Sequence, residues 1–361
     1  MSKLTLVTSL FDLKLREESG RRSIDEYFHF GEFLFGLDQD IIFFCDPELS
    51  ERILEERRKH DRSQRTRVVP IAFEGLSIAK YLDLIKKSRP AINLNQVKDT
   101  PNYTLLGWSK FEMIERAAAL NPFGASHLGW IDFGIAHVAK LDDRTSTEPF
   151  ANPPENVRMH MLRYFDENDV SSCDYWDYRR GHLAGGFFLG SVQNMLALSA
   201  SFWTTAEMAL ANNYSPTEDC IMPVVAGRDR GRFSFSYGDY EDIFFNHVRV
   251  RRGGPHLLFQ MVDAGNRQAY SHNIAIGREA VASHSEGTFQ CPERTLEDIL
   301  MLYYIAAYWR STHEEARRAA MYYAHMAELN PAFRDSYLAR RDFVVNNFSF
   351  MNPPILLPET K

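Results

Sequence analysis

The chain has 361 residues, enough for one large domain with an appendage and too few for a many-domain assembly. Hydrophobic residues make up 45% of it and charged residues 25%, which excludes global disorder. The net charge of −7 argues against a protein coated in positive charge for sequence-independent nucleic-acid binding, although it leaves room for a local basic groove.

Cysteine spacing and apolar runs exclude further classes of protein. The four cysteines lie far apart and none forms a Cys-x-x-Cys pair, so we expect neither a structural zinc site nor a disulfide framework. The N-terminus lacks the apolar region and cleavage site of a signal peptide. The longest apolar run, residues 299–309, is shorter than the ~18–20 residues of a membrane span. We therefore expect a soluble, cytoplasmic protein with no membrane span.

In the first third of the chain, short apolar segments alternate with helical patterns. The predicted strands are residues 4–11, 41–45, 68–73 and 127–138. Ser23 and Glu26 form a capping box that opens one helix. Ser109 and Glu112 form a second, predicted to open a helix that ends near Asn121. Buried strands separated by helices indicate βαβ units and a mainly parallel sheet.

Strands become sparser along the rest of the chain, and the end is helical. Strands are predicted at residues 157–165, 182–189 and 233–237, a helix at 192–212, and three further helices at 293–309, 314–329 and 331–343. The second of these three helices carries small residues on one face, and together with its neighbours it resembles one tetratricopeptide-like helical pair. One copy cannot build a solenoid, so a helical tail packed on the main domain is the alternative. We predict an α/β domain over residues 1–290 and an all-helical extension over residues 291–361.

Asp132 is the most informative polar residue because it lies in an apolar run, between Trp130 and Phe133. Removing a carboxylate from water costs several kcal/mol unless a cation meets it. The carboxyl end of a central strand is where open α/β sheets bind ligands. Asp132 is therefore predicted to bind a metal ion or a ribose, the alternative being an aspartate that ends the strand and caps a turn.

Two other motifs invite both a functional and a structural interpretation. The glycine-rich run 184–190 predicts a turn leading into a helix, in which Gly185 and Gly186 let the backbone approach a flat polar group or form a tight strand-entry turn. Ser215, Pro216 and Glu218 predict a capping box with proline at its favoured first position. Asp219 lies outside that box, although the helix dipole favours its charge.

Taken together, these motifs resemble the HtrL/YibB family, which is related to nucleotide-sugar glycosyltransferases of the GT-A fold. The resemblance rests on residues 109–112, 121–123, 130–135, 184–190 and 218–219, and it covers roughly residues 4 to 280. It implies a GT-A-like, Rossmann-related α/β fold with a mainly parallel sheet flanked by helices. It also implies an enzyme that transfers a sugar from a nucleotide diphosphate donor, such as a UDP-sugar, to the hydroxyl of a glycan or another acceptor.

The resemblance implies a metal site. GT-A enzymes usually hold a divalent cation on the donor diphosphate with an Asp-x-Asp motif. The matching place here has a single carboxylate, Asp132, which makes it the metal-ligand candidate, with Mn²⁺ or Mg²⁺ as the expected ion. His247 matches the late histidine that several GT-A enzymes add as a ligand, the alternative being a solvated or core histidine.

The resemblance also implies donor-binding and catalytic residues. Thr8 and Ser9, expected at the end of the first strand, would contact the base or ribose, and Asp46 would accept a hydrogen bond from the uracil. Lys110 would lie near the diphosphate. Gly185 and Gly186 would approach the donor sugar, while Asp219 would deprotonate the acceptor and Glu218 would be structural. Each donor contact has a structural alternative: Thr8 as a strand former, Asp46 as an Asx turn before Pro47, and Lys110 as a solvated residue.

Two further functions remain open at this stage. Arginines cluster at residues 57–67, 228–232 and 249–252; the first cluster is interpreted as a solvated helix end, the other two as groups that hold a diphosphate or an anionic acceptor. A nucleic-acid partner, with sugar transfer to a modified nucleobase in DNA, is one alternative. A catalytically silent GT-A-like scaffold that recruits partners through its helical tail is the other.

Overall fold

The structure is a computed structural model. It describes residues 3–15, 22–89, 99–141, 147–172, 174–178, 181–310, 313–330 and 333–339. The chain divides into two compact units, Met1–Ser236 and Tyr237–Lys361. This division is made on internal contacts alone. It does not test where the predicted α/β domain ends, so the boundary after residue 290 stays a prediction.

Among the described residues, seven strands form one mostly parallel sheet. The strands are β1 Leu4–Leu10, β2 Asp40–Cys45, β3 Thr66–Pro70, β4 His127–Ile131, β5 Val157–Met161, β6 Leu183–Ser191 and β7 Phe233–Tyr237. Their order is β3-β2-β1-β4-β6-β5-β7. Strands β3, β2, β1 and β4 pair in parallel, whereas β6 runs antiparallel to both β4 and β5. Strands β1, β2, β4 and β6 are almost wholly buried, because helices cover the sheet, and they therefore appear as continuous apolar runs.

The helices of the first unit cover both faces of the sheet. They are α1 Ile24–Phe30, α2 Glu32–Gly36, α3 Ser50–Lys59, α4 Leu82–Lys87, α5 Pro101–Leu120, α6 Glu148–Ala151, α7 Glu167–Ser171, α8 Val192–Ala211 and α9 Glu218–Arg228. On one face, Phe111 of α5 stacks on Phe188 of β6 and on Phe202 of α8. On the other face, Phe35 of α2 packs against Phe43 of β2. This layering confirms the predicted α/β class, a mainly parallel sheet flanked by helices.

The second unit continues from the end of β7 into helices, as predicted for the C-terminal part of the chain. The helices are α10 Gly254–Asn266, α11 Tyr270–Ser285, α12 Glu293–Arg310 and α13 His313–Leu329, and residues 333–339 are also helical. The predicted small-residue face of α13 is buried against its neighbours, with Ala316 and Ala319 fully enclosed. The rest of the predicted helix 331–343 lies outside the described residues. In the described part of the chain, no helix is both long and apolar enough to cross a membrane.

Local sequence signals were right at some element ends and wrong at others. The capping box at α1 is confirmed, with Glu26 N donating to Ser23 Oγ (3.2 Å) and Ser23 N donating to Glu26 Oε2 (2.7 Å). The second box is wrong, because α5 begins at Pro101 and places Glu112 in its interior. That glutamate instead accepts hydrogen bonds from the backbone of Ser77 and Ile78, so it satisfies amides of a distant segment. Helices α10 and α11 were not predicted.

Candidate functional site

The sheet brings three chain segments to one edge. Because β1, β2 and β4 are parallel, the residues that follow them meet at the carboxyl edge: Asp12, Asp46 and Asp132. From β1 the chain order runs outward to β2 and β3 on one side and jumps to β4 on the other. This reversal is the topological switch point of the sheet, where α/β proteins form their ligand crevice. Asp132 borders it.

Lys110 is the centre of the polar cluster beside this edge. It projects from α5 and is only 6% exposed. Its Nζ lies 2.9 Å from Asp132 Oδ1 and 2.8 Å from Glu218 Oε1, and it donates to the carbonyl of Gly185 at 3.0 Å. An ammonium has three N–H donors, so these three oxygens can engage all of them. Residues far apart in sequence thus meet at one nitrogen atom.

Asp132 has the cationic partner that its apolar surroundings require. The strand ends one residue earlier, at Ile131, so the predicted continuation to residue 138 is wrong. Asp132 N donates to Gly186 O (2.8 Å), and Trp130 Nε1 donates to Asp132 Oδ1 (2.7 Å). The side chain is 37% exposed, and among the described residues no hydrogen bond reaches Oδ2. One oxygen is therefore fixed by the protein while the other is open to a ligand.

Glycines make room for the second carboxylate, Glu218. A Cβ on Gly107 would lie 2.2 Å from Glu218 Oε2, and a Cβ on Gly185 would lie 3.2 Å from Glu218 Oε1. The predicted glycine-rich turn is wrong, since Gly185 and Gly186 lie inside the buried strand β6. Their observed contribution is close packing and two carbonyls, one for Lys110 and one for the amide of Asp132.

The start of α9 differs from the predicted capping box. The helix begins at Glu218, and Thr217 is its N-cap. Glu218 is thus the first helical residue and not the third, as the capping box required; it is 8% exposed and forms the ion pair with Lys110. Asp219 lies outside this ion-pair cluster, partly buried, with its carboxylate accepting a hydrogen bond from the Thr217 hydroxyl. Sequence reasoning missed this role of Glu218 because the Ser-Pro-x-Glu pattern already explained it locally.

With the Lys110 ammonium in place, this cluster does not fit a resident divalent ion. A hard cation needs several oxygen ligands. The carboxylate oxygens Asp132 Oδ1 and Glu218 Oε1 both point at the Lys110 ammonium, which is the cation of the cluster. Across the described residues, no group of three or more His, Cys, Asp and Glu side chains is arranged to hold a metal. His247 is buried in the second unit, and its role as a ligand stays a prediction.

The other residues predicted to bind the donor, Thr8, Ser9 and Asp46, lie at β1 and β2 and outside the Lys110 cluster. Thr8 lies inside β1 and is fully buried, so the expectation that it ends the strand is wrong, because the strand continues to Leu10. Ser9 is half-buried. Asp46 is 5% exposed and its Oδ2 accepts a hydrogen bond from Asp12 N at 2.8 Å. The Asp46 carboxylate thus joins the end of β2 to the segment after β1, and it does not cap the short helical turn that follows it. Asp12, the first polar residue after β1, was not singled out.

The arginine clusters are largely engaged within their own units. Arg57, interpreted from sequence as part of a solvated helix end, is completely buried. Arg230 donates to the carbonyl of Phe165 and lies over its ring. In the second unit, Arg249 pairs with Glu286, and the Arg252 guanidinium lies 3.7 Å from the centre of the Phe245 ring. These contacts give the arginines structural roles.

Comparison with known proteins identifies the family. The family model described as "Bacterial protein of unknown function (HtrL_YibB)" matches residues 2–248. The chain belongs to this family. The match confirms the family resemblance expected from the motifs, and all the residues of the Lys110 cluster lie inside the matched range.

Two individual proteins show the range of similarity. Protein HtrL of Escherichia coli (strain K12) is 23% identical over 265 residues, covering 67% of this chain and 92% of that protein. The apo crystal structure of mouse xyloside xylosyltransferase 1 is 11% identical, with a TM-score of 0.37, covering 68% of this chain and 94% of that chain.

Proposed function

We propose that this HtrL_YibB protein is a glycosyltransferase that moves a sugar from a nucleotide diphosphate donor to a hydroxyl acceptor, such as that of a glycan. One observation carries the proposal: at the switch point of the sheet, Lys110 holds one oxygen of Asp132 and leaves the other open. A fixed, partly exposed carboxylate at that place suits the hydroxyl groups of a ribose or a sugar, which donate hydrogen bonds to it.

The donor would lie along the carboxyl edge of β1, β2 and β4. Its nucleoside would rest near Ser9 and the Asp12–Asp46 contact, and its ribose or sugar hydroxyls would donate to Asp132 Oδ2. Lys110 offsets the charge of Asp132, which would otherwise repel the diphosphate. This arrangement keeps Ser9, Asp46 and Asp132 from the family resemblance, adds Asp12, and assigns Lys110 to the carboxylates instead of to the diphosphate.

The acceptor proton would go to Asp219. Its carboxylate lies in the first turn of α9, next to Glu218 but outside the ion-pair cluster. A general base must first be within hydrogen-bond reach of the hydroxyl, and an aspartate contributes when the oxygen is well positioned. Glu218 would act as a positioning residue through its ion pair with Lys110. Replacing Asp219 and Glu218 one at a time tests whether the first acts as the base and the second as a positioning residue.

The decisive experiment is a panel of nucleotide diphosphate sugars based on UDP, GDP, ADP and dTDP. Binding is followed by thermal shift, and slow donor hydrolysis by released nucleotide. One donor should stabilise the protein, and Asp132→Asn should lower its turnover by about 100-fold or more. The matched control is Asp229→Asn, which removes a surface carboxylate whose one ion pair in the described part of the chain is with Arg232, and it should change neither measurement. Absence of any donor-dependent stabilisation would refute the proposal.

A catalytically silent binding domain is the second candidate. It is favoured by the closure of the cluster, in which the Lys110 ammonium contacts three oxygens of the protein itself. The same panel separates the two candidates. A silent domain would bind a nucleotide sugar without releasing nucleotide in the presence of any hydroxyl acceptor, and Asp219→Asn would then have no kinetic effect.

A further inference from the structure

We propose that Lys110 is a built-in cation of this site. Its ammonium occupies an oxygen cradle that could otherwise hold a divalent metal, so the protein binds its ligand without one. The part of this inference that concerns a nucleotide donor rests on the proposed function. The part that concerns the cradle itself does not, because it is a property of three oxygen atoms and one nitrogen atom.

The cradle has the composition of a hard-metal site. Its oxygens are Asp132 Oδ1, Glu218 Oε1 and the carbonyl of Gly185, at 2.9, 2.8 and 3.0 Å from Lys110 Nζ. Two carboxylates and a carbonyl are the ligand types that Mg²⁺, Mn²⁺ and Ca²⁺ accept, at about 2.0–2.6 Å. With the ammonium absent, each oxygen would need to move inward by less than about 1 Å to reach a metal ion at the same place.

The surrounding residues hold the cradle in shape. Each oxygen comes from a different element: the residue after β4, the start of α9, and β6. Trp130 Nε1 fixes Asp132 Oδ1 from the side, and the Lys110 ammonium lies 5.8 Å from the Trp130 ring centre, within cation–π range. Gly107 leaves the space that Glu218 occupies, since a Cβ there would overlap the carboxylate.

The ammonium also discourages a metal ion on the open oxygen of Asp132. A divalent ion bound to Oδ2 would share one carboxylate with the Lys110 ammonium, in a partly buried place where like charges repel more strongly than in water. The side chain of Lys110 is only 7% exposed, so solvent screens that repulsion poorly. Lys110 therefore supplies one positive charge to the site and excludes a second cation.

The cradle is tested with Mn²⁺ alone, by following the loss of the electron paramagnetic resonance signal of free Mn²⁺. Wild-type protein should show no stoichiometric binding. Lys110→Ala should gain a site at least about tenfold tighter, and adding Asp132→Asn to it should abolish that gain. The control Lys59→Ala removes an exposed lysine paired with Glu56 and should behave as wild type. Stoichiometric Mn²⁺ binding to wild type that Asp132→Asn removes would overturn the inference.

A measurement on wild-type protein keeps the inference testable even if Lys110→Ala fails to fold. UDP is titrated calorimetrically in EDTA and again in Mn²⁺. Equal affinity in both supports the built-in cation. Binding that requires Mn²⁺ overturns it while leaving the glycosyltransferase proposal intact. If UDP, GDP, ADP and dTDP all fail to bind under both conditions, the proposed function is refuted. The Mn²⁺ titration of wild-type protein then tests by itself whether the Lys110 ammonium keeps a metal ion out of the cradle.

Discussion

Replacing Arg57 with methionine tests how this chain stabilises a charge in its interior. Arg57 projects from α3, and within 3.0 Å its guanidinium reaches the carbonyls of Leu34, Phe35, Leu37 and Gln39 together with the hydroxyl of Thr66. The first two carbonyls belong to the last turn of α2, which has no intrahelical donors for them. Arg57 therefore caps α2 from a distance. Burial lowers the pKa of Arg57 to about 10, which leaves it charged at neutral pH.

The expected loss follows from those contacts. Hydrogen bonds from a charged donor contribute about 1.5–3 kcal/mol each; because Nη1 shares two hydrogens among three of the carbonyls, four bonds at the lower end sum to about 6 kcal/mol. Burying the guanidinium opposes this by several kcal/mol. Arg57→Met should therefore reduce the free energy of unfolding by about 3–5 kcal/mol, because it leaves buried carbonyls without donors. At ~2–4 °C per kcal/mol, the melting temperature of the first unit should fall by about 6–20 °C.

The neighbouring residue supplies the matched control. Arg58 is on the same helix and 62% exposed, and its only ion pair in the described chain is a 3.6 Å contact with Glu51. Arg58→Met should change the free energy of unfolding by less than about 0.5 kcal/mol. Urea unfolding followed by circular dichroism compares the two variants with wild type. Equal, small losses for Arg57→Met and Arg58→Met would refute the argument that buried carbonyls depend on Arg57.

Two further predictions concern the buried carboxylates Glu218 and Glu315. Gly107→Ala should push Glu218 away from Lys110 and destabilise the protein by about 1–3 kcal/mol in thermal unfolding. The control is Gly231→Ala, which should have little effect because nothing lies within 4 Å of the added Cβ. Similar melting temperatures for the two variants would contradict the close packing of Gly107 against Glu218. In the second unit, hydrogen bonds from Arg278 lower the pKa of Glu315 to about 2 from its ordinary 4.5. Because the folded pKa is the lower one, this stabilisation is complete above pH 4.5 and is lost as the pH falls toward 2. Acid unfolding followed by tryptophan fluorescence should show this loss in wild type and not in Glu315→Gln, and parallel profiles would count against it.

The predictions that held were those that depend on local chemistry. The α/β class followed from apolar strands alternating with helical patterns, since a strand buried on both faces leaves a continuous apolar run. The capping box at Ser23 and Glu26 was correct because both partners lie in one turn. The prediction that a cation meets Asp132 held for a similar reason, because a carboxylate in an apolar run requires a partner in any fold that buries that run.

Only the tertiary structure decided which partner that is. Lys110 reaches Asp132 from a helix, and Gly185 and Glu218 meet the same ammonium from a strand and a helix start; these residues are distant in sequence, and no spacing rule links them. The same limit explains the errors. Glu112 and Glu218 fit local capping patterns, yet each is used by a distant segment. Arg57 belongs to a run of charges that resembles a solvated surface, and its burial depends on carbonyls about 20 residues away. A short motif records the bonds available within one turn, whereas the partner of a buried charge is set by which elements the sheet brings together.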